Sequence, residues 1–301
     1  MRRLIFVHGI NNERWSRDEI QATWAKALRD KLGGAANAWW DDVEIRTAYY
    51  ADVLAQEAAE WPVLEVAGIR MSAEAPDAAY AADEVAALYL ELQRAEGVTD
   101  EQVAAELDPG DEPAAAARMA AGIHKKWLKA ITRALEKVVP SAGNGLARLF
   151  LEQAATYLNK PQVFDRVNAI VRDQVMDDLG DTSKTVVIGH SLGTIVTYVL
   201  LRQMRGARIP LFVTLGSPLG IDIVKKRIGP VYVTPPPVAR WVNGSDREDF
   251  VALHPALSDK TFGPATVENF PDLDNGQEDA HSVVKYLSQQ PIAAAILGTL
   301  G

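Results

Sequence analysis

The sequence predicts an α/β protein: a doubly wound, mostly parallel sheet carrying a helical insertion. Three observations lead there. Short runs of β-branched and bulky apolar residues alternate with segments of helical periodicity, as expected for strands buried on both faces and joined by crossover helices. One such run passes straight through Gly189-His190-Ser191-Leu192-Gly193 into a helical stripe. Residues 54–160 break the alternation, being rich in alanine and helix formers with no convincing strand.

The first expected strand is 4–7, Leu-Ile-Phe-Val, entered from Met1-Arg2-Arg3 and left through His8-Gly9. Two arginines before an apolar run suggest a secretion signal, but the run is too short and no cleavage region follows. Ser16-Arg17-Asp18-Glu19 is a capping box opening a helix with Ile20, Trp24, Leu28 and Leu32 on one face. Residues 43–47 form the second expected strand. In the insertion, Val85, Leu88, Tyr89 and Leu92 make one stripe, and Thr99 and Gln102 fit a second capping box. Met119, Ile123, Trp127, Ile131, Leu135 and Val138 make a longer stripe, and residues 108–113, Asp-Pro-Gly-Asp-Glu-Pro, read as a loop or hinge between the two. Val163, Val167, Ile170, Val171 and Val175 mark a helix stopped by Gly180. Further strands are expected at 185–188, 211–215 and 240–242, with a late helix from Val283. The division is therefore a core of 1–53 and 161–301 and an insertion of 54–160, expected to act as a cap or lid, the alternative being an interaction surface packed on the sheet's flank.

Composition narrows the function classes. The chain has 301 residues, 48% of them hydrophobic, enough for a sizeable core. A net charge of -9 argues against nucleic acid as a partner, because phosphate binding needs a basic face. With no cysteine, disulfides, thiolate metal sites and a cysteine nucleophile are excluded. No stretch reaches the ~20 apolar residues of a membrane span, and a soluble, cytoplasmic protein is expected. Lys125, Lys126, Lys129, Arg133 and Lys137 line one helical face. It is read as a solvated face, the alternative being a peripheral contact with anionic lipid.

A strand, then Gly-x-Ser-x-Gly, then a helix is the arrangement of a nucleophile elbow. The turn is so tight that residues two before and two after the serine can carry almost no side chain. It lifts Ser191 Oγ above the sheet edge and aims the Leu192 N–H at a developing oxyanion. A serine hydroxyl needs a base at neutral pH, and the base needs a carboxylate to fix its tautomer. Of five histidines, His8 and His190 lie in motifs that give them other roles, and His124 precedes the nucleophile. His281, in Asp279-Ala280-His281-Ser282 before the last helices, is the expected base, while His254 is assigned to its own loop. Asp249 is the preferred acid, because Phe250-Val251 would anchor and desolvate it. Asp246 is the runner-up, otherwise tying the turn to backbone N–H groups. The second oxyanion donor is expected from Ile10, after His8-Gly9. Ser217 and Pro218, in Gly216-Ser217-Pro218-Leu219-Gly220, are expected to line the substrate pocket with His8, Gly9 and His190. Tyr49 to Asp52 are read either as facing the site or as core or rim. No histidine pair has zinc-ligand spacing, so neither metal nor cofactor is expected.

These segments together resemble the α/β-hydrolase superfamily on its lipase and esterase side. The resemblance rests on Phe6-Val7-His8-Gly9, the Ser191 elbow, Leu215-Gly216-Ser217-Pro218, the stretch from Trp241 to Asp249, and Asp279-Ala280-His281-Ser282. It covers both ends of the chain but not the insertion. It implies a Ser191–His281–Asp249 triad, an oxyanion hole completed after His8-Gly9, and a small-molecule or lipid-like ester substrate. Many family members have two strands before the one carrying His-Gly, so a sheet reduced at the N-terminus is expected. Thioester hydrolysis and acyl transfer could use the same residues. A catalytically silent interaction module is the reading from another class.

Overall fold

The computed structural model describes residues 1–36, 38–60, 76–109, 125–143 and 145–301. Its strands are β1 (Arg2–Val7), β2 (Val43–Ala48), β3 (Lys184–His190), β4 (Leu211–Leu215), β5 (Trp241–Asp246) and β6 (Glu268–Leu273). Its helices are α1 (Arg17–Leu32), α2 (Ala51–Glu60), α3 (Pro76–Ala95), α4 (Asp100–Ala104), α5 (Lys125–Val138), α6 (Leu146–Asn159), α7 (Pro161–Val171), α8 (Leu192–Gln203), α9 (Asp222–Ile228), α10 (Val283–Leu287) and α11 (Gln290–Leu300). The expected α/β class is present. The strands form one six-stranded sheet in the order β2-β1-β3-β4-β5-β6, with every pair parallel.

Alternation along each strand assigns two faces. Leu4, Phe6, Val186, Ile188, Val213 and Val242 point to one side, where they meet Ile20, Trp24 and Leu28 of α1 and Tyr286, Ile292 and Ile296 of α10 and α11. Ile5, Val7, Val187, Phe212 and Trp241 point to the other. That face carries the insertion: Leu54, Leu88, Tyr89, Leu92, Trp127, Ile131, Leu135, Phe150 and Tyr157 share a single apolar cluster with the sheet. The described part of the insertion therefore shares its core with the sheet. Trp127, Ile131 and Leu135 of the α5 stripe are buried by this packing, whereas Val138 stays exposed, and on its basic face Arg133 pairs with Asp108 and Lys137 with Glu106. Among the described residues, no helix is long and apolar enough to cross a membrane.

Both capping boxes form. Ser16 Oγ accepts from Glu19 N–H at 3.3 Å while Glu19 returns a bond to Ser16 N–H at 2.8 Å. Thr99 and Gln102 repeat the pattern at 3.3 and 2.8 Å. Beyond α7 the chain runs through a π-helical turn, Arg172–Met176. Sequence periodicity did not indicate β6, Glu-Asn-Phe-Pro-Asp-Leu. It is an edge strand, where a proline is tolerated because one side of the strand needs no N–H donors. β5 also runs on to Asp246, past the expected end at 242. Met119, Ile123, His124, residues 110–113 and the side chain of Val85 lie outside the described residues.

In this strand order the chain reverses direction between β1 and β3, and a doubly wound sheet leaves a crevice at the carboxyl ends of such a pair. Val7 of β1 is level with Gly189 of β3, and His190 with Leu215 of β4. The segments leaving β1, β3, β4 and β5 therefore emerge along one edge.

Candidate active site

Ser191 sits where β3 becomes α8, at φ 54 and ψ -130. A non-glycine residue at positive φ is strained and persists only when its surroundings hold it. Here Ser191 N–H donates to Leu215 O at 3.0 Å, tying the turn to β4. A Cβ on Gly189 would stand 3.0 Å from Gly193 O and Thr194 Cα, and one on Gly193 would run into the carbonyl oxygens of Val7 and His8. The two glycines of the motif are thus required by close backbone approach on both sides of the serine.

The loop after β1 presses on the same turn. A Cβ on Gly9 would lie 2.9 Å from Ser191 Oγ and nearer still to Ser191 Cβ. The loop is heavily tied. His8 Nδ1–H donates to Gly9 O at 2.7 Å, and His8 Nε2 accepts from Tyr50 N–H at 3.3 Å. The Tyr50 hydroxyl donates to His8 O, and its ring stacks on the imidazole at 4.2 Å. Burial holds His8 down to a pKa of about 4, so it is neutral, with both ring nitrogens engaged in shaping the loop. Asn12 Nδ2 donates to Ile10 O at 2.7 Å, and Asn11 N–H donates to Gln153 Oε1 of α6 at 3.3 Å. Ile10 N–H has no acceptor among the described residues. Leu192 N–H, first in α8, has none within its helix.

The two candidate carboxylates differ in their hydrogen bonds. Both oxygens of Asp249 lie 2.8 Å from His281 Nδ1. Oδ1 also accepts from Val251 N–H at 3.0 Å, and Oδ2 from the Tyr286 hydroxyl at 2.7 Å. Asp246 points elsewhere: its oxygens accept from Glu248 N–H at 2.8 Å and Asn275 N–H at 2.6 Å. The Asp249 side chain is fully buried and that of His281 is 9% exposed. Ser191 Oγ and His281 Nε2 are both buried, and neither has a hydrogen-bond partner among the described residues.

His190 links the elbow to the histidine loop. Its Nε2–H donates to His281 O at 2.9 Å, and the two rings lie 4.6 Å apart. Burial, reinforced by His281, keeps the His190 pKa well below the usual imidazole value. Ser217 Oγ is bonded to Thr194 Oγ1 at 2.9 Å and accepts from Leu219 N–H at 3.3 Å, so it caps its own turn, with Pro218 buried beside it. His254 packs against Gly220 and lies 3.8 Å from Glu91 of α3, apart from the Asp249 pair.

Three groups at the site escaped sequence reasoning. Tyr286 read only as one apolar residue of a late helix, and Gly216 as part of a pocket loop. Gln153 lies in the insertion, where nothing in the sequence ties it to Asn11. The one available signal was a hydroxyl-bearing residue on an otherwise apolar face five positions after His281.

No group of three or more histidine or carboxylate side chains that could hold a metal ion occurs among the described residues. No family model, curated protein or solved structure matches the chain. The chemistry the arrangement offers is therefore read from its own atoms: a hydroxyl on a strained elbow, an imidazole tied through Nδ1 to a buried carboxylate, and two backbone N–H groups without acceptors among the described residues. An imidazole so tied keeps Nε2 available as a base.

Proposed function

We propose that this protein is a serine hydrolase of the α/β-hydrolase type, cleaving a carboxylic ester through an acyl-enzyme. The observation that carries the reading is the Asp249–His281 pair, 2.8 Å at Nδ1, on the sheet edge that also bears the Ser191 elbow. Ser191 Oγ attacks the ester carbonyl while His281 Nε2 takes its proton. Asp249 holds the tautomer and stabilises the imidazolium. Ile10 and Leu192 N–H receive the oxyanion. His281 then protonates the leaving alkoxide, and water, activated by the same imidazole, releases the acid. Apo geometry without a serine–histidine hydrogen bond is compatible with this chemistry, because such bonds often tighten only around substrate.

In this reading the insertion serves as a cap over a small-molecule or lipid-like ester. Its support is contact. Gln153 of α6 bonds the loop that holds Ile10, and Ser141 Oγ accepts from Phe250 N–H, next to Asp249, at 3.3 Å. Helices that grip both the oxyanion loop and the acid loop are suited to exclude water from acylation.

The test is a panel of p-nitrophenyl esters of increasing chain length alongside acyl thioesters. The expected result is ester turnover that falls by ~10⁴–10⁶ in kcat for Ser191→Ala. Equal turnover by wild type and Ser191→Ala would overturn the reading, and a preference for thioesters would move the substrate class.

A further inference from the structure

Tyr286 has no part in the mechanism above, yet it is fully buried against the acid. It stands on α10, and its hydroxyl both donates to Asp249 Oδ2 at 2.7 Å and accepts from Asp246 N–H at 2.9 Å. Two further observations mark this as a built contact. Gly216, at the end of β4 with φ 54, is bare where three side chains meet. A Cβ there would fall 2.7 Å from Asp249 Oδ2, 3.1 Å from His281 Nδ1 and 3.1 Å from Tyr286 Cε2. Asp246, whose N–H holds the phenol oxygen, is itself fixed by its bonds to Glu248 and Asn275.

We propose that Tyr286 is a positioning residue for the Asp249–His281 pair: its hydroxyl orients the carboxylate toward Nδ1 and, by drawing on its charge, sets the pH at which His281 acts as a base. The inference rests on the hydrolase reading for its consequence, though not for the coupling itself. A bare carboxylate stabilises the imidazolium, and each donor bonded to the carboxylate weakens that effect. Among the described residues, removing the phenol hydroxyl leaves Asp249 with only the Val251 N–H besides His281. His281 then keeps its proton to higher pH, and the carboxylate is held less firmly. Among the described residues, the other ionisable groups facing the pair are Glu96, Asp246 and His190. Glu96 has its pKa raised by burial and then by the charge of Asp249, Asp246 is bonded to Glu248 and Asn275 N–H, and burial keeps His190 neutral. None of the three bonds the Asp249 carboxylate. Asp279 and Lys285, near His281 in the chain, are exposed and pair with each other. Tyr286 itself stays a donor, since burial and then Asp249 push its pKa well above the usual phenol value.

The experiment compares wild type, Tyr286→Phe and a protein with 3-fluorotyrosine installed at position 286. It follows the pH dependence of fluorophosphonate labelling and the titration of the His281 ring by NMR. Tyr286→Phe is expected to label about tenfold more slowly, with its acidic limb and the His281 titration moved up by about one pH unit. The fluorinated phenol, a stronger donor of nearly the same shape, is expected to move both down. If neither replacement moves the His281 titration, the proposal is wrong and Tyr286 merely packs, even if labelling slows. Should Tyr286→Phe fail to fold, the fluorotyrosine protein decides alone. Should wild type label at no pH, the hydrolase reading falls, while the ring titration still decides the role of Tyr286.

Discussion

Gly9→Ala probes the close approach of the β1 loop to Ser191. The added Cβ would stand 2.9 Å from both Ser191 Oγ and His190 O, and nearer still to Ser191 Cβ. Ordinary carbon contacts lie at about 3.5–4.0 Å, so loop and elbow must part by about 1 Å. Neither side yields easily. Gly9 O is held by His8 and Asn12, and Ser191 N–H by Leu215 O. Overpacking of this kind costs about 1–3 kcal/mol of stability. The same displacement moves Ile10 N–H away from the oxyanion. A 1 Å misplacement or a lost oxyanion donor costs roughly 10²–10³ in rate, and because both describe one movement they are not multiplied. The expected outcome is therefore a fall of ~10²–10³ in kcat/KM on a short-chain ester, a matching fall in fluorophosphonate labelling, and a urea midpoint lowered by a modest amount. Gly298→Ala is the control: it lies on the exposed side of α11 with no atom within 4 Å of the new methyl group. It is expected to gain about 0.5–1 kcal/mol and keep full activity. Labelling of Gly9→Ala at the wild-type rate would refute the packing of this loop on Ser191.

Three further outcomes follow from the same geometry. Asp249→Asn is expected to lower kcat/KM by ~10⁴, and Asp246→Asn by less than ~10², since only Asp249 bonds His281; the reverse order would reassign the acid. His8, held at a pKa of about 4, binds no proton in the folded state between that value and its ordinary 6.5, whereas the unfolded chain does. Stability is therefore lost as pH falls through that window, by up to about 3 kcal/mol, with His190 acting in the same direction. Urea titrations from pH 7 to 4 should show a flatter slope for His8→Gln, and an unchanged slope would sink the assignment. Leu88→Ala should cost ~2–5 kcal/mol in one unfolding transition shared by far-UV and tryptophan probes, because Leu88 belongs to the sheet's own cluster. Two separate transitions would mean that the insertion melts alone.

What could be read from the chain was local. The strand–glycine–serine–glycine–helix run, both capping boxes and the core of each expected strand depend on residues within a few positions of one another. The preference for Asp249 over Asp246 also rested on local residues, Phe250-Val251, and Val251 N–H does bond Asp249. What stayed hidden depends on contacts distant in sequence. β6 has the residues of a turn and becomes a strand only because β5 offers it an edge. Gly216 looks like an ordinary turn glycine until Asp249, His281 and Tyr286 converge on it. The apolar stripes of the insertion indicated burial but not the partner, which is the same sheet face that carries Ile5 and Phe212.

The central claim, that Ser191 is a nucleophile activated by His281 and Asp249, is tested most directly by locating a covalent adduct. Wild-type protein is treated with a fluorophosphonate, digested and mapped by mass spectrometry, with Ser191→Ala and Ser217→Ala treated alongside. The expected result is a single adduct on Ser191, retained in Ser217→Ala and lost in Ser191→Ala. An adduct on Ser217, whose hydroxyl is bonded to Thr194, or a folded wild-type protein that takes no label, would contradict the claim.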